Sequence, residues 1–438
     1  MNNERIRLGL AVVTSPLEVG ADQAPNLLQR LQITLNESDK LNLCTYQTPV
    51  VSAQDAIKAG RQFYDERIHA VVIVAASWFE DYLVLDMLEE CDVPTILWGI
   101  PGMETGSLCG TQQLGFMLKQ LSKPYKLLYD DLTSQSALKR LLEYTSAAAL
   151  RYHLRRAKMG YLGHRVEGMT ETTGHELALK KIFGPRVVGI DSQVFLDEVA
   201  KVEAKAVQKQ WEKLKGEVGN TICSDEDGLE SLKVHTVLKS FINDRMLNAL
   251  AIGCYPHLMG KVCLAASLFG EEGIPLACEG DVNGALGMLI LTRLSGGATH
   301  NTDLLNPTED NAIIFSHCGS SGFSLANDLS EVTLAPVRLM DKGLCCLFTA
   351  KPGPVTLVNI VPTMNNYKIG VMFGNAVSTE MIFPGNPLKV RFDSEIQEVL
   401  NWIEYEGLGH HWMAGYGDLR NQFTDFSGMV GCQLKKLK

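Results

Sequence analysis

The sequence lacks several features that mark whole classes of protein. No apolar run reaches the roughly 20 residues that a membrane-spanning helix needs, and the first residues, "MNNERIRLGLAVV", show no cleavage site of a signal peptide. The 11 cysteines include no CxxC pair. An odd number of cysteines in a long chain favours a reducing compartment over a disulfide framework. We therefore expect a soluble, cytoplasmic protein that has no membrane partner.

Positive charge is also scarce. The formal net charge is −10, which repels a phosphate backbone. The one dense basic cluster, "RYHLRRAK" at 151–158, is short enough to be a solvated helix face. These observations argue against a nucleic-acid partner.

What is present is the composition of a globular protein. Hydrophobic residues make up 46% of the chain and charged residues 21%, and no low-complexity tract interrupts it. A length of 438 residues exceeds one ordinary core and predicts two or three domains.

Two α/β blocks occupy the first two thirds of the sequence. In residues 1–150, β-branched runs such as "IRLGLAVV" and "HAVVIVAA" alternate with segments of helical period, which predicts a parallel sheet covered on both faces. No GxGxxG follows the first strand, so a dinucleotide site is not supported. The same alternation resumes in residues 151–293, from "AKMGYLGHR" to "GIPLACEG".

The hydrophobic pattern changes in the last third of the sequence. Short alternating runs with Pro and Gly turns, among them "EVTLAPVRL", "GPVTLVNIV" and "PLKVRFD", predict an antiparallel sheet or barrel closed by a helix around 394–405 and a terminal strand. We therefore predict three domains: 1–150, 151–293 and 294–438.

The stretch "LACEGDVNGALGMLILTRLSGG" sets carboxylates beside a buried segment. Glu279 follows the strand "GIPLA" and precedes a buried helix, and open α/β sheets bind ligands at the carboxyl ends of their strands. The alternative is that Glu279 is merely an acidic residue stabilised by the helix dipole at a first turn. For the neighbouring Asp281 we prefer that simpler interpretation, a helix N-cap with no part in a site.

Further ligand types follow strands or glycines downstream. Asp303 stands in "THNTDLLNP", His317 in "IIFSHCGSSG", and His410 and His411 in "GLGHHWMAGYGD". Carboxylates with histidines suit a divalent ion such as Mn²⁺, Mg²⁺ or Co²⁺. Taken singly, each is more often a turn aspartate or a core histidine.

Several strings resemble the L-fucose isomerase and L-arabinose isomerase family of metal-dependent aldose–ketose isomerases. The resemblance covers about residues 155–430 and rests on "CEGDVNGAL", the most specific string, together with "THNTDLLNP", "FSHCG" and "GHHWMAGYGD". It implies two Rossmann-like α/β domains and a C-terminal β-rich domain, in agreement with the pattern above. It also implies a sugar substrate and a homo-oligomer, often a hexamer.

The resemblance also implies roles for individual residues. Fucose isomerases hold the metal with Glu, Asp and His, which correspond here to Glu279, Asp303 and His411. Arabinose isomerases use a second Glu and an extra histidine, for which His317 is the corresponding position. We expect His317 and His410 to contact the substrate, and the mixture of ligands leaves the sugar open.

The implied chemistry moves a carbonyl between C1 and C2 through a cis-enediol. A divalent ion polarises the carbonyl, while Glu279 and Asp303 exchange protons with the two carbons. A metal-assisted hydride shift stays open. Two further alternatives are an isomerase of a modified or phosphorylated sugar and a sugar-binding or regulatory protein that has lost turnover.

Overall fold

The computed structural model describes residues 5–364 and 366–437. Its chain divides into two compact units. One contains the described residues up to His153 together with Asn421–Val430, and the other contains Leu154–Arg420 and Gly431 onward. None of the helices in the described part of the chain combines the length and the apolar character needed to cross a membrane.

The first unit is built on one parallel sheet. Its strands, in the spatial order β2-β1-β3-β4-β5, are β1 (Ile6–Val13), β2 (Leu41–Thr45), β3 (Ala70–Ala75), β4 (Thr95–Gly99) and β5 (Tyr125–Tyr129). Its helices are α1 (Ala24–Asn36), α2 (Ala53–Asp65), α3 (Tyr82–Glu90), α4 (Ser107–Gln120) and α5 (Gln135–Leu154). Every residue of β3 is buried, as expected of a strand covered by helices on both faces.

The second unit begins with another α/β segment. Its strands are β6 (Lys158–Leu162), β7 (Arg186–Ile190), β8 (Asn220–Thr221), β9 (Ala249–Ile252) and β10 (Leu276–Ala277). Its helices are α6 (Glu176–Ile182), α7 (Ser192–Lys201), α8 (Ala204–Glu217), α9 (Asp225–Arg245), α10 (Cys263–Glu271) and α11 (Val282–Ser295). All of these strands except β8 form a parallel sheet in the order β10-β9-β6-β7.

The rest of the second unit is rich in β-structure. It contains β11 (His300–Thr308), β12 (Ala312–Ser316), β13 (Thr333–Val337), β14 (Lys342–Leu347), β15 (Gly353–Pro362), β16 (Tyr367–Val377), β17 (Leu388–Arg391), α12 (Ile396–Glu406), β18 (His411–Tyr416) and β19 (Gln433–Lys436). Seven of these strands form one sheet in the order β15-β18-β11-β12-β17-β16-β19, and an additional β15–β16 pairing closes six of them into a ring. The predicted fold class, two parallel α/β sheets and a barrel-like β region, is confirmed.

One part of the predicted β region lies elsewhere. The run "EVTLAPVRL" contains β13, which lies between β14 and β8 in a separate three-stranded sheet. The register explains this, because Thr333 and Leu334 pair in parallel with Asn220 and Thr221. The division into three domains at 150 and 293 stays a prediction.

Strand alternation in the ring decides which side chains of β18 face the candidate site. Trp412 and Ala414 are buried in the hydrophobic core of the ring. His411 and Met413 therefore point to the other face of the strand. Met413 lies against α11, where a Cβ added at Gly284 or Gly287 would come within 3.1 Å of its side chain.

Candidate active site

Glu279 lies in a tight turn between β10 and α11. Its own φ is +63° and that of Gly280 is +71°. A left-handed conformation is costly for a residue with a side chain, and such outliers concentrate at functional sites. The turn is held by the Glu279 N–H, which donates to Cys254 Sγ at 3.4 Å, and by the Glu279 carbonyl, which accepts from the Val166 N–H at 3.3 Å.

Asp303 and His411 come from neighbouring antiparallel strands. The register of β11 and β18 places Asp303 directly opposite His411, so both side chains lie on the same face of the sheet. His411 Nε2 is 3.5 Å from Asp303 Oδ1 and 3.1 Å from Glu279 Oε2. The structure thus brings Glu279, Asp303 and His411 together around one imidazole nitrogen.

The two further predicted histidines lie on either side of this centre. His317 follows β12, and its Nε2 is 4.0 Å from Glu279 Oε2. His410 Nε2 is 3.9 Å from Asp303 Oδ1. Two groups of ligand atoms result, each within 4.8 Å: Glu279, His317 and His411 form one, and Asp303, His410 and His411 form the other. His411 belongs to both groups, and each group contains one carboxylate.

The chemistry of these side chains fits a divalent cation. Ligands about 2.1 Å from an octahedral ion lie about 3.0 Å apart when adjacent, which is close to both distances from His411 Nε2. Asp303 Oδ1, which faces His410 and His411, is buried and has no hydrogen-bond partner. Buried polar atoms are rarely left without a partner, so this oxygen indicates room for a ligand at the site.

Asp281 has a larger role than the sequence predicted. Its N-cap function is confirmed, because Oδ1 accepts from the Gly284 N–H at 2.8 Å. Its second oxygen, Oδ2, lies 2.9 Å from His411 Nδ1. The structure thus adds a contact that the sequence did not predict: one carboxylate caps α11 and contacts the histidine at the centre of the candidate ligands.

Ionisation at the centre follows from these contacts. Burial raises the pKa of Glu279, but the hydrogen bond with His411 and the nearby histidines outweigh it, so the pKa lies below its usual value. Burial lowers the pKa of His411, whereas hydrogen bonds with Asp281 and Glu279 raise it to about 9 overall. A cation bound here would displace the His411 proton from Nε2, as metal binding to histidine generally does.

A cavity opens beside the candidate ligands. It has a volume of about 550 Å³, and His410, Glu171 and Lys368 lie in its wall. Glu171 Oε1 is 2.6 Å from His410 Nδ1. Lys368 Nζ donates to the Glu406 carbonyl. The wall therefore combines an acid, a histidine and a primary ammonium group within one concave surface.

Sequence reasoning missed Glu171 altogether. It lies in the irregular segment between β6 and α6, in "GMTETTG", where no periodicity or ligand spacing distinguishes it. For Asp281, the signal in the sequence was its position two residues after Glu279 at the start of a helix, whereas its contact with His411 on β18 is visible only in the structure.

Comparison with protein families and curated proteins supports the prediction that the chain is an enzyme. No family model matches the chain. The sulfoquinovose isomerase of Priestia aryabhattai is 25% identical over 84% of this chain and 85% of its own length. That of Alkalicoccus urumqiensis is 23% identical over 89% and 90%, and that of Clostridium sp. (strain MSTE9) is 22% identical over 77% and 79%.

These similarities extend over most of the chain. They favour turnover over the alternative of a sugar-binding or regulatory protein. Homo-oligomeric assembly and a cytoplasmic location stay predictions. The chain is an enzyme of the aldose–ketose isomerase class.

Proposed function

We propose that this enzyme interconverts an aldose and a ketose through a cis-enediol, with a divalent cation held by Glu279, Asp303 and His411. The observation that carries the proposal is the approach of His411 Nε2 to carboxylate oxygens of both acids, at 3.1 Å and 3.5 Å. Carboxylate and imidazole ligands suit Mn²⁺, with Mg²⁺ or Co²⁺ as alternatives.

The reaction requires removal of a proton from a carbon next to a carbonyl. The cation supplies Lewis-acid polarisation of the substrate carbonyl and hydroxyl. Glu279 and Asp303 are the proton-transferring groups: one takes the proton from one carbon and the other returns a proton to its neighbour. A general acid or base of this kind contributes about 10²- to 10⁴-fold to the rate. The lowered pKa of Glu279 keeps that carboxylate ionised at neutral pH.

The substrate is a sugar with an anionic substituent, and sulfoquinovose is the proposed example. The names of the relatives support this choice. A second support is Lys368 in the cavity wall, whose ammonium group has N–H donors beyond the one that binds the Glu406 carbonyl. A charge-assisted hydrogen bond to a sulfonate there is worth about 1.5–3 kcal/mol. His410, held by Glu171, is placed to contact sugar hydroxyls.

The test is a substrate panel assayed in metal-stripped and Mn²⁺-loaded enzyme. Sulfoquinovose, D-glucose, L-fucose and L-arabinose are compared at matched concentrations. We expect sulfoquinovose to be isomerised fastest, with activity lost on chelation and regained with Mn²⁺. Full activity after thorough stripping contradicts the requirement for a metal. Faster turnover of fucose or arabinose contradicts the proposal that the substrate has an anionic substituent.

A lysine variant tests how the anionic group is bound. Lys368→Gln should raise KM for sulfoquinovose at least about 10-fold, in line with the loss of one charge-assisted hydrogen bond. KM for a neutral sugar should change much less. Lys435→Gln is the matched control, because Lys435 pairs with Glu406 and is absent from the cavity wall. Equal effects of both variants on KM contradict the assignment.

A further inference from the structure

Asp281 makes two contacts that serve different parts of the molecule. Its carboxylate is buried, with 3% of the residue exposed. Oδ1 accepts from the Gly284 N–H at 2.8 Å, which satisfies one of the free donors at the start of α11. Oδ2 lies 2.9 Å from His411 Nδ1, on the side of the ring opposite to the nitrogen that faces Glu279 and Asp303.

The two ring nitrogens of His411 therefore have different environments. Nε2 faces carboxylate oxygens of the candidate cation site. Nδ1 instead faces the carboxylate of Asp281. A carboxylate accepts hydrogen bonds and cannot donate one when it is ionised. It consequently keeps a proton on Nδ1, so that Nε2 is the ring nitrogen that gives up its proton to a cation.

We propose that Asp281 is a positioning residue of the cation site, which fixes the ring orientation and the Nδ1–H tautomer of His411 while it caps α11. The proposal rests on the proposed function, because it takes His411 as a ligand. Carboxylates that hold a ligating histidine in this way typically contribute 10- to 100-fold to metal affinity. The joint role also ties the start of α11 to β18, on which the ligand lies.

The Asn variant separates the two roles. Asp281→Asn can keep an oxygen towards the Gly284 N–H, and Asn is as good an N-cap as Asp. It then presents an NH₂ group to His411 Nδ1. This donor favours the tautomer with the proton on Nε2, where the cation needs a lone pair. The cap is retained and the positioning of His411 is lost.

The experiment measures Mn²⁺ affinity and metal-free melting temperature by calorimetry in the full chain. For Asp281→Asn we expect about 10- to 100-fold weaker Mn²⁺ binding and a metal-free melting temperature close to that of the wild type. Asp191→Asn is the matched control, because Asp191 caps α7 through the Val194 N–H and is solvent-exposed. It should leave Mn²⁺ affinity unchanged.

A double-mutant cycle with His411→Ala tests whether Asp281 acts through this histidine. In the His411→Ala background, Asp281→Asn should change Mn²⁺ affinity no further. An unchanged affinity of Asp281→Asn in the wild-type background, or an equal loss in both backgrounds, overturns the positioning role while the proposed function stands. Failure of the wild type itself to bind Mn²⁺ overturns both.

Discussion

The two parallel sheets share an architecture but differ at the carboxyl ends of their strands. In the first unit, the side chains beyond β1 and β3 satisfy one another: Thr14 Oγ1 lies 2.7 Å from Ser77 Oγ, and Ser15 Oγ donates to Glu80 at 3.4 Å. In the second unit, Glu279 beyond β10 faces His411, and the neighbouring Asp303 Oδ1 has no hydrogen-bond partner. At the edge of the first sheet these polar side chains are hydrogen-bonded to one another, whereas the edge of the second sheet has polar atoms available to a ligand.

The backbone differs in the same way. Glu279 and Gly280, which follow β10, both have positive φ values, whereas Ala76 and Ser77, which follow β3, do not. Strained backbone persists only where its surroundings enforce it. Here β11 and β18 deliver Asp303 and His411 to the turn. The comparison teaches that an α/β sheet provides an edge, and that the β-ring of the second unit adds the further side chains of the candidate site to this edge.

The largest expected effect comes from removing the carboxylate charges. Glu279→Gln and Asp303→Asn keep the size of each side chain while weakening cation binding and removing a proton acceptor. Each should lower kcat by at least about 10²-fold and leave the melting temperature nearly unchanged. Steady-state kinetics with Mn²⁺ and a thermal melt check both expectations.

The matched control lies at the edge of the first sheet. Glu80→Gln changes a half-buried carboxylate that accepts a hydrogen bond from Ser15. Its kcat should stay within about twofold of the wild type, because a general acid or base effect is absent there. If Glu80→Gln reduced kcat as much as the other two variants, the two edges would not differ in function.

Local pattern was sufficient for the elements of the fold but not for the contacts between distant strands. The βα repeat predicted the parallel sheets, and the final helix, expected at 394–405, is observed as Ile396–Glu406. By contrast, Asp303, which in the sequence only follows a glycine-containing segment, lies inside β11, opposite His411. That pairing depends on strand register across more than 100 residues of chain, for which a local pattern contains no signal. The helix Arg420–Val430 was not predicted.

The same reasoning explains the two roles of Asp281. An Asp before an apolar helix is the signature of an N-cap, and this local signal identified half of its function. The contact with His411 joins residues 130 positions apart. The family resemblance could indicate which residues belong to a candidate site. The contact between Asp281 and His411 depends on the packing of α11 on β18, which the sequence alone does not show.

The second prediction concerns the strained turn after β10. A Cβ added at Gly280 would lie 2.5 Å from the His164 carbonyl oxygen, at a φ of +71°. Gly280→Ala should therefore lower the free energy of unfolding by about 3 kcal/mol, from backbone strain and steric clash together. It should also weaken Mn²⁺ binding, because the turn positions Glu279. Denaturant titration and calorimetry measure the two effects.

A substitution at Gly296 distinguishes the cost of backbone strain from the cost of steric clash. It ends α11 with a φ of +73°, and a Cβ there would meet nothing within 4 Å. Gly296→Ala should cost only about 1 kcal/mol, the strain of a left-handed alanine, and should leave Mn²⁺ affinity unchanged. Equal losses of stability in the two variants would show that close packing around Gly280 does not constrain the turn.

The smallest expected effect concerns a buried histidine of the second unit that is separate from the candidate ligands. His235 on α9 is 4% exposed, and neither ring nitrogen has a hydrogen-bond partner. Burial lowers its pKa to about 4, although Glu272 acts in the opposite direction. The unfolded chain, with a histidine pKa of about 6.5, therefore binds more protons than the folded chain between about pH 4 and 6.5. Stability is lost as pH falls through this range.

Replacement of His235 should remove this part of the pH dependence. At pH 5 the wild type has lost about 2 kcal/mol through His235, which is about 1.5 pH units at 1.36 kcal/mol each. His235→Leu should therefore gain about 2 kcal/mol relative to the wild type between pH 7.5 and pH 5, whatever its packing costs at pH 7.5, because that cost is common to both pH values. His257→Leu, at an exposed position, is the control and should follow the wild-type pH dependence. Parallel pH profiles of the wild type and His235→Leu in urea titrations would show that the buried imidazole is protonated as readily in the folded as in the unfolded chain.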